Sequence, residues 1–405
     1  MKPRSEQLSQ RGQSLVILAV GIVGLLGMSG LAIDGGIMFA DRRHAQNAAD
    51  AGAMAGAFSL LQGYDPVPPA YSRAADNDFD DNGVSNWVTV YYPPAYGANA
   101  GDYNYVQVEI ESKVESMFAH FVFGGELRNT VNAVAHAKPA TVEPLLFGNA
   151  IVGLAEGGCA VVWSHGSNST DITGGGIHVN SNHPDCAFKS SGGNDLNVTG
   201  GGISVVGGFE IDGTSTVNPL PTTGAAVLET PAIPTPTCGS NAVRDSGTGV
   251  ITPGYIDDFN FHGGSWTLEP GIYCVDGGFA VNSGTTILGN DVMIYVMSGD
   301  VSWNGGATLN LDAPNDGEFA GMLIYQDPAN SAMATINGSS GSTFTGTMFF
   351  PSAEVQINGT GASDGFHAQV IGDTVDMSGT SDLNIIYNED ENYQLRDPAQ
   401  VELTE

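Results

Sequence analysis

QSLVILAVGIVGLLGMSGLAI, Gln13 to Ile33, is a run of 21 residues without a charge. At 1.5 Å of rise per residue it spans roughly 30 Å as a helix, the thickness of a bilayer's hydrocarbon core. One membrane span here divides the chain unequally, with a cytoplasmic tail over residues 1–12 and more than 360 residues on the other side. Two other readings compete. A buried core helix seldom runs so far without a polar face. A cleaved signal peptide fits the basic Lys2, Arg4 and Arg11, but the run is longer than an ordinary h-region and no A-x-A site follows it.

Orientation rests on charge and cysteines. Lys2, Arg4 and Arg11 favour a cytoplasmic N-terminus, and Arg42 and Arg43 weaken that bias. Cys159, Cys186, Cys238 and Cys274 lie in a Gly-rich, β-rich region with no C-x-x-C pair. They read as two disulfides rather than a metal site, and so as an oxidising, extracytoplasmic compartment. Three pairings are possible, of which the local ones, Cys159 with Cys186 and Cys238 with Cys274, are favoured.

The net charge is −32, and from Ala150 onward 29 Asp and Glu face only Lys189, Arg244 and Arg396. Such a surface repels phosphate and polyuronate backbones, so nucleic acid is a poor partner. Solubility and cation binding are the plain and the sharper explanations of the charge.

Within the span, Gly21, Gly24, Gly27 and Gly30 recur every third residue and form a ridge that another helix can approach. From Asp34 to about Leu61 the pattern stays helical, rich in Ala and free of Pro. Ile37, Ala40, His44, Ala48, Ala51, Ala55 and Phe58 share one narrow face of mostly small residues, suited to packing on a sheet or helix. His44 has no partner at ligand spacing and reads as structural.

The segment RGQSLVILAVGIVGLLGMSGLAIDGGIMFADRRHAQNAADAGAMAGA, Arg11 to Ala57, resembles the N-terminal segment of TadG-like proteins of bacterial Tad (tight adherence, Flp-type) pilus-assembly systems. The shared pattern is a basic residue and Gly, an apolar helix ending in G-x-A-x-D (Gly30, Ala32, Asp34), a basic doublet, and an Ala-rich run from Asn47 to Ala55. The resemblance implies a membrane-anchored, non-enzymatic component whose partners are other pilus-assembly proteins and the bacterial inner membrane. Pilins are typically cut after a Gly and carry Glu at the fifth mature position. A cut after Gly12 would put Ile17 there, so the chain reads as an unprocessed anchored protein.

Residues 62–143 read as a small α+β unit, pilin-like by the same resemblance. A helix is expected over Tyr71 to Phe79, then strands over Trp87–Tyr92, Tyr103–Ser112 and Val131–Ala137. Ser116–Phe123 is strand or helical turn. Asp76, Asp78, Asp80 and Asp81 faintly suggest a calcium loop, but Asp81 stands where Gly is needed and Trp87 where the bidentate Glu belongs.

After Pro144, Gly, Ser, Asn and Thr punctuate short apolar runs. A unit recurs at Gly175–Ser181, Gly201–Gly207, Gly277–Ser283 and, loosely, Gly305–Asn310. Short strands at near-regular spacing without helices predict a β-solenoid over 144–388 with a Pro-rich insertion at 219–253. A β-sandwich is the alternative. Leu268 to Tyr387 resembles β-solenoid segments of pilus-assembly and pilus-tip proteins. The expected fold is therefore mainly β, with an N-terminal transmembrane α-helix over 13–61, the α+β unit, the solenoid, and a disordered acidic tail over 389–405.

β-Helices include polysaccharide lyases and glycosidases. Asp257-Asp258 and His262-Gly263 resemble fragments of pectin-degrading enzymes, but those need a basic residue to hold an acidic sugar, and the nearest, Arg244, lies in the Pro-rich insertion. No nucleophile, base and orienting group share a recognisable spacing, and no phosphate-binding loop joins a strand to a helix. The expected protein is non-enzymatic and needs no cofactor. It presents the solenoid to partner proteins, with an envelope or surface glycan as a further contact. A secreted or surface adhesin and a carbohydrate-active β-helix are the alternatives.

Overall fold

The computed structural model describes residues 13–118, 126–339, 341–359, 366–379 and 381–404. The chain forms two units, one of the residues up to Thr141 together with those from Arg396, the other spanning Val142–Leu395.

The N-terminal unit is built on helix α1, Gln13–Leu61, which runs without a break. Helix α2, Val67–Ala75, starts four residues before the sequence pattern indicates. Its opening prolines are tolerated because first-turn N–H groups have no helical partner in any case. Strands β1 (Asn86–Tyr91), β2 (Tyr105–Val114) and β3 (Leu127–Lys138) form an antiparallel sheet in that order. Of the Ser116–Phe123 segment, only residues 116–118 are described.

The C-terminal residues depart from the expectation of disorder. Gln400–Thr404 is a fourth strand of this sheet, antiparallel to Val134–Lys138, and Lys138 Nζ lies 2.6 Å from the Asp397 carboxylate. Val401 packs against the alanine-rich core. Two apolar residues at alternating positions suffice where a strand edge stands open; the surrounding acids hid that pattern.

In the second unit the strands from Asn149 to Thr223 and from Gly254 to Ile386 stack in parallel, and the fold is a three-faced β-solenoid rather than a sandwich. One face shows how the chain winds. Strands at 254–257, 273–276, 294–296, 324–326, 347–350 and 369–372 follow one another. The next strand in the stack is 151–153, followed by 177–179, 203–205 and 222–223. The last-made turn therefore rests on the first-made one. The chain enters the stack midway, builds outward to Thr223, crosses to the far end, and winds back until residues 366–386 meet residues 149–173. At this seam Val370, Ile371 and Gly372 pair with Ile151, Val152 and Gly153, and His165 Nε2 lies 2.9 Å from Asp376. Burial pushes the Asp376 carboxyl upward, against the imidazole beside it.

The Pro-rich insertion is the return path. Ala225 N–H donates to Val205 O, Asn180 exchanges hydrogen bonds of 2.8 Å with both backbone groups of Leu228, and Cys238 is bonded to Cys274. Eight strand spacings of about 4.8 Å separate strand 203–205 from strand 254–257, roughly 38 Å. The sixteen residue steps from Ala225 to Asn241 reach about 50 Å in the polyproline conformation. The insertion is thus a strap laid across the strands. Beneath it Val152, Tyr295, Tyr325, Phe349 and Ile371 form a second apolar cluster with Ile233, while the opposite side of the same strands fills the solenoid core. Burial on both sides explains why VMIYV and MLIYQ are continuous apolar runs.

The Gly-Gly repeat is a corner signal rather than a fixed turn length. Ile177 and Ile203 stack in register, but Phe279 and Leu309 stand on the other two faces.

Two predictions concern the strap. Cys238→Ser and Cys274→Ser each lower the unfolding free energy of the solenoid by about 3 to 4 kcal/mol under oxidising conditions, the double variant adding nothing, as checked by denaturant unfolding. The buried His178, hydrogen-bonded to Ser204 and Asn180 next to the strap, has its pKa pushed down by burial. The unfolded chain therefore takes up that proton first, and stability is lost as pH falls below about 6.5. His178→Gln flattens this slope in unfolding curves measured from pH 5 to 8.

Candidate functional site

The residues that couple α1 to its sheet lie at Gly30, Asp34 and Asp41. Asp34 follows the uncharged run and is only 3% exposed. Its carboxylate accepts the backbone N–H groups of Met117 and Phe118 at 2.7 and 2.9 Å. A carboxylate taken out of water needs such donors, and backbone N–H groups supply them without a second charge. One turn earlier, a Cβ on Gly30 would lie 2.8 Å from the Cβ and Cγ of Phe118. Gly and Asp of the G-x-A-x-D pattern are thus two halves of one seat, space for the loop after β2 and an acceptor for its backbone.

Two turns on, Asp41 accepts from Ser112 Oγ at 2.5 Å and Asn129 Nδ2 at 2.7 Å, and Asn129 also donates to Met38 O. Further along, Gln46 Nε2 donates to Asn132 O at 3.1 Å. Side chains spaced along α1 therefore fasten it to the loop after β2, to β2 itself and to β3.

Between and beyond these bonds the helix lies close because its contacting residues are small. Ala45, Ala48, Ala49, Ala53 and Ala57 are fully buried. A Cβ on Gly56 would come within 2.9 Å of Val106 Cγ1, and one on Gly52 within 3.1 Å of Ala70 O. The buried stripe is rotated from the expected one. Ala48 belongs to it, but Ala51 and Ala55 are half-buried and line a groove with Met54, Phe58, Pro69 and Arg73. Ala and Gly occupy most positions from Ala48 to Ala57, so periodicity alone sets no phase; the sheet does. Among the described residues, Gly21, Gly24 and Gly27 face open space, and of that ridge only Gly30 meets another part of the chain.

The other singled-out residues serve structure. His44 Nε2 lies 3.6 Å from Asp78 and its ring meets Phe79 edge-on. Asp80 accepts from the side chains of Asn82 and Asn86, Asp81 from Val88 N, and Asp76 lies 3.9 Å from Arg73, so all four acids of the suspected calcium loop are engaged. Cys159 is bonded to Cys186, and Cys238 to Cys274. Cys159 and Cys186 gather with Glu210, but sulfurs joined to each other are not thiolate ligands. Asp257 accepts from Tyr255 OH at 2.8 Å, His262 lies 3.0 Å from the Asn282 side chain, and the side chain of Asp258 lies outside the described atoms. Arg244 is sandwiched against Phe261 and Trp266, 4.3 Å from each ring, and donates to Asn260 O.

The seat falls within a known family pattern. Residues 12–59 match the Tad family model, described as "Putative Flp pilus-assembly TadE/G-like". Neither a curated protein nor a solved structure matches the chain significantly. The Tad segment coincides with α1, the helix that is long and apolar enough to cross a membrane among the described residues. The chain thus joins a Tad-like helix, fit for a single-pass anchor, to a β-solenoid.

Asp34→Ala, which orphans two N–H groups, lowers the stability of the N-terminal unit by about 2 to 3 kcal/mol. Gly56→Val costs about 1 to 3 kcal/mol through overpacking against Val106. Thermal unfolding in detergent checks both, and Gly24→Ala, which faces open space, is the matched control.

Proposed function

We propose that this protein is a non-enzymatic, single-pass component of a Tad/Flp-type pilus-assembly or adherence apparatus in the bacterial inner membrane. Its solenoid stands on the extracytoplasmic side and offers an extended surface to other assembly proteins, with envelope glycan as a further contact. The observation that carries this reading is the coincidence of the Tad match with a helix whose first turns are apolar and exposed and whose later turns are bolted to a sheet. Such a helix can hold a folded unit at the membrane surface. The two disulfides support the orientation, since they form where the medium is oxidising.

The carbohydrate-active alternative loses its best anchor for an acidic sugar, because Arg244 is spent on Phe261 and Trp266. Lys189 is likewise engaged, 2.9 Å from Glu210 and 3.4 Å from Asp212. An acidic surface with its cations occupied fits a protein-binding scaffold better than a polyuronate cleft.

Protease added to intact spheroplasts tests the topology. The proposal predicts that the solenoid is digested while a membrane-bound fragment containing residues 13–33 survives. A solenoid protected until the membrane is opened places it in the cytoplasm and overturns the reading.

A further inference from the structure

We infer that Met117 and Phe118, just after β2, form a second membrane contact that dips into the lipid boundary beside α1 without crossing the bilayer. This rests on α1 being a membrane span. The level of the loop is fixed by its bonds to the helix, since both backbone N–H groups are held by Asp34 and Phe118 packs over Gly30. Exposed charge on α1 begins only at Arg42. That lies eight residues beyond Asp34, about 12 Å along the axis. Met117 and Phe118 are therefore on the membrane side of the first charges that the helix shows to solvent.

Both residues expose apolar surface. Met117 is 61% and Phe118 43% exposed, and Phe39, on the helix between Asp34 and Arg42, is 73% exposed. Charge borders the pair: Glu115 is exposed two residues before Met117, Lys113 pairs with Glu126, and Arg128 with Glu111 and Glu126. An apolar pair beside a membrane helix and bordered by charge has the chemistry of an interfacial anchor. The occupant is lipid, because the patch continues the face of α1 that lipid already covers. Asp34 is compatible with that depth, since the loop's own amides shield and satisfy it. With two points of attachment, the helix and the loop, the small sheet cannot swing freely about α1.

The test uses the full oxidised chain, whose native cysteines are all bonded, with one added cysteine carrying an environment-sensitive nitrobenzoxadiazole label. The variants are Met117→Cys, Ile22→Cys within the span, and Tyr103→Cys, an exposed aromatic at the opposite end of β2. Each is reconstituted in phosphatidylcholine and phosphatidylglycerol vesicles containing lipids with a nitroxide either near the headgroup or deep in the acyl chain. The inference predicts that the label at 117 loses most of its fluorescence to the shallow nitroxide, that the label at 22 loses it to the deep one, and that the label at 103 is unquenched. If 22 is quenched and 117 behaves like 103, the span stands and the loop contact is overturned. If 22 is not quenched by either lipid, the span itself fails and the loop contact falls with it.

Discussion

The N-terminal unit depends on the burial of one carboxylate. Asp34 follows an apolar run with no charge of its own, yet it is turned inward and bonded to two backbone amides. Those bonds bring the loop after β2 back against the helix, and Gly30 leaves the room for it to close. Asp41 and Asn129 repeat the fastening on β2 and β3. The alanine and glycine stripe then needs only to be small for the sheet to settle at short range. A long helix, apolar and exposed at one end and fastened to a sheet at the other, is thereby one continuous element.

The second unit obeys a different constraint. A parallel stack needs every turn covered, and it has two ends where backbone groups stand unpaired. Here the chain begins the stack in its middle, so the first segment grows away from the seam, the second grows back toward it from the far end, and the return strap covers one face. The strap's Ile233, Leu228 and Cys238 meet strands from both segments, and the Cys238–Cys274 bond fixes its far end. At that end Arg244 closes over Phe261 and Trp266. The opposite end is formed of short strands at 216–218 and 222–223 with prolines at 219 and 221 between them. Short edges and proline are established ways of discouraging further strand addition.

Much of this was legible in the residues. Length and absence of charge marked the apolar helix, Gly-Gly corners and short apolar runs marked the solenoid, and the Pro-rich insertion was recognisable as different in kind. What the sequence withheld has physical causes. The phase of α1 was hidden because Ala and Gly surround the helix nearly all the way from Ala48 to Ala57. The winding order was hidden because strand pattern records which side chains face a core, not which strand lies next; nothing local shows that 369–372 pairs with 151–153. The last strand was hidden because Val401 and Leu403 are its only apolar residues in an acidic setting. The role of Asp34 was present in the G-x-A-x-D pattern, but its partners are two amides 83 and 84 residues away.

A folded, disulfide-bonded solenoid held in the membrane by an uncleaved helix can be checked by non-reducing mass spectrometry of the protein recovered from washed membranes. The expected product retains residues 13–33 and yields linked peptides for Cys159 with Cys186 and Cys238 with Cys274. A soluble product starting beyond Ile33, or four free thiols in the membrane-bound chain, would contradict it.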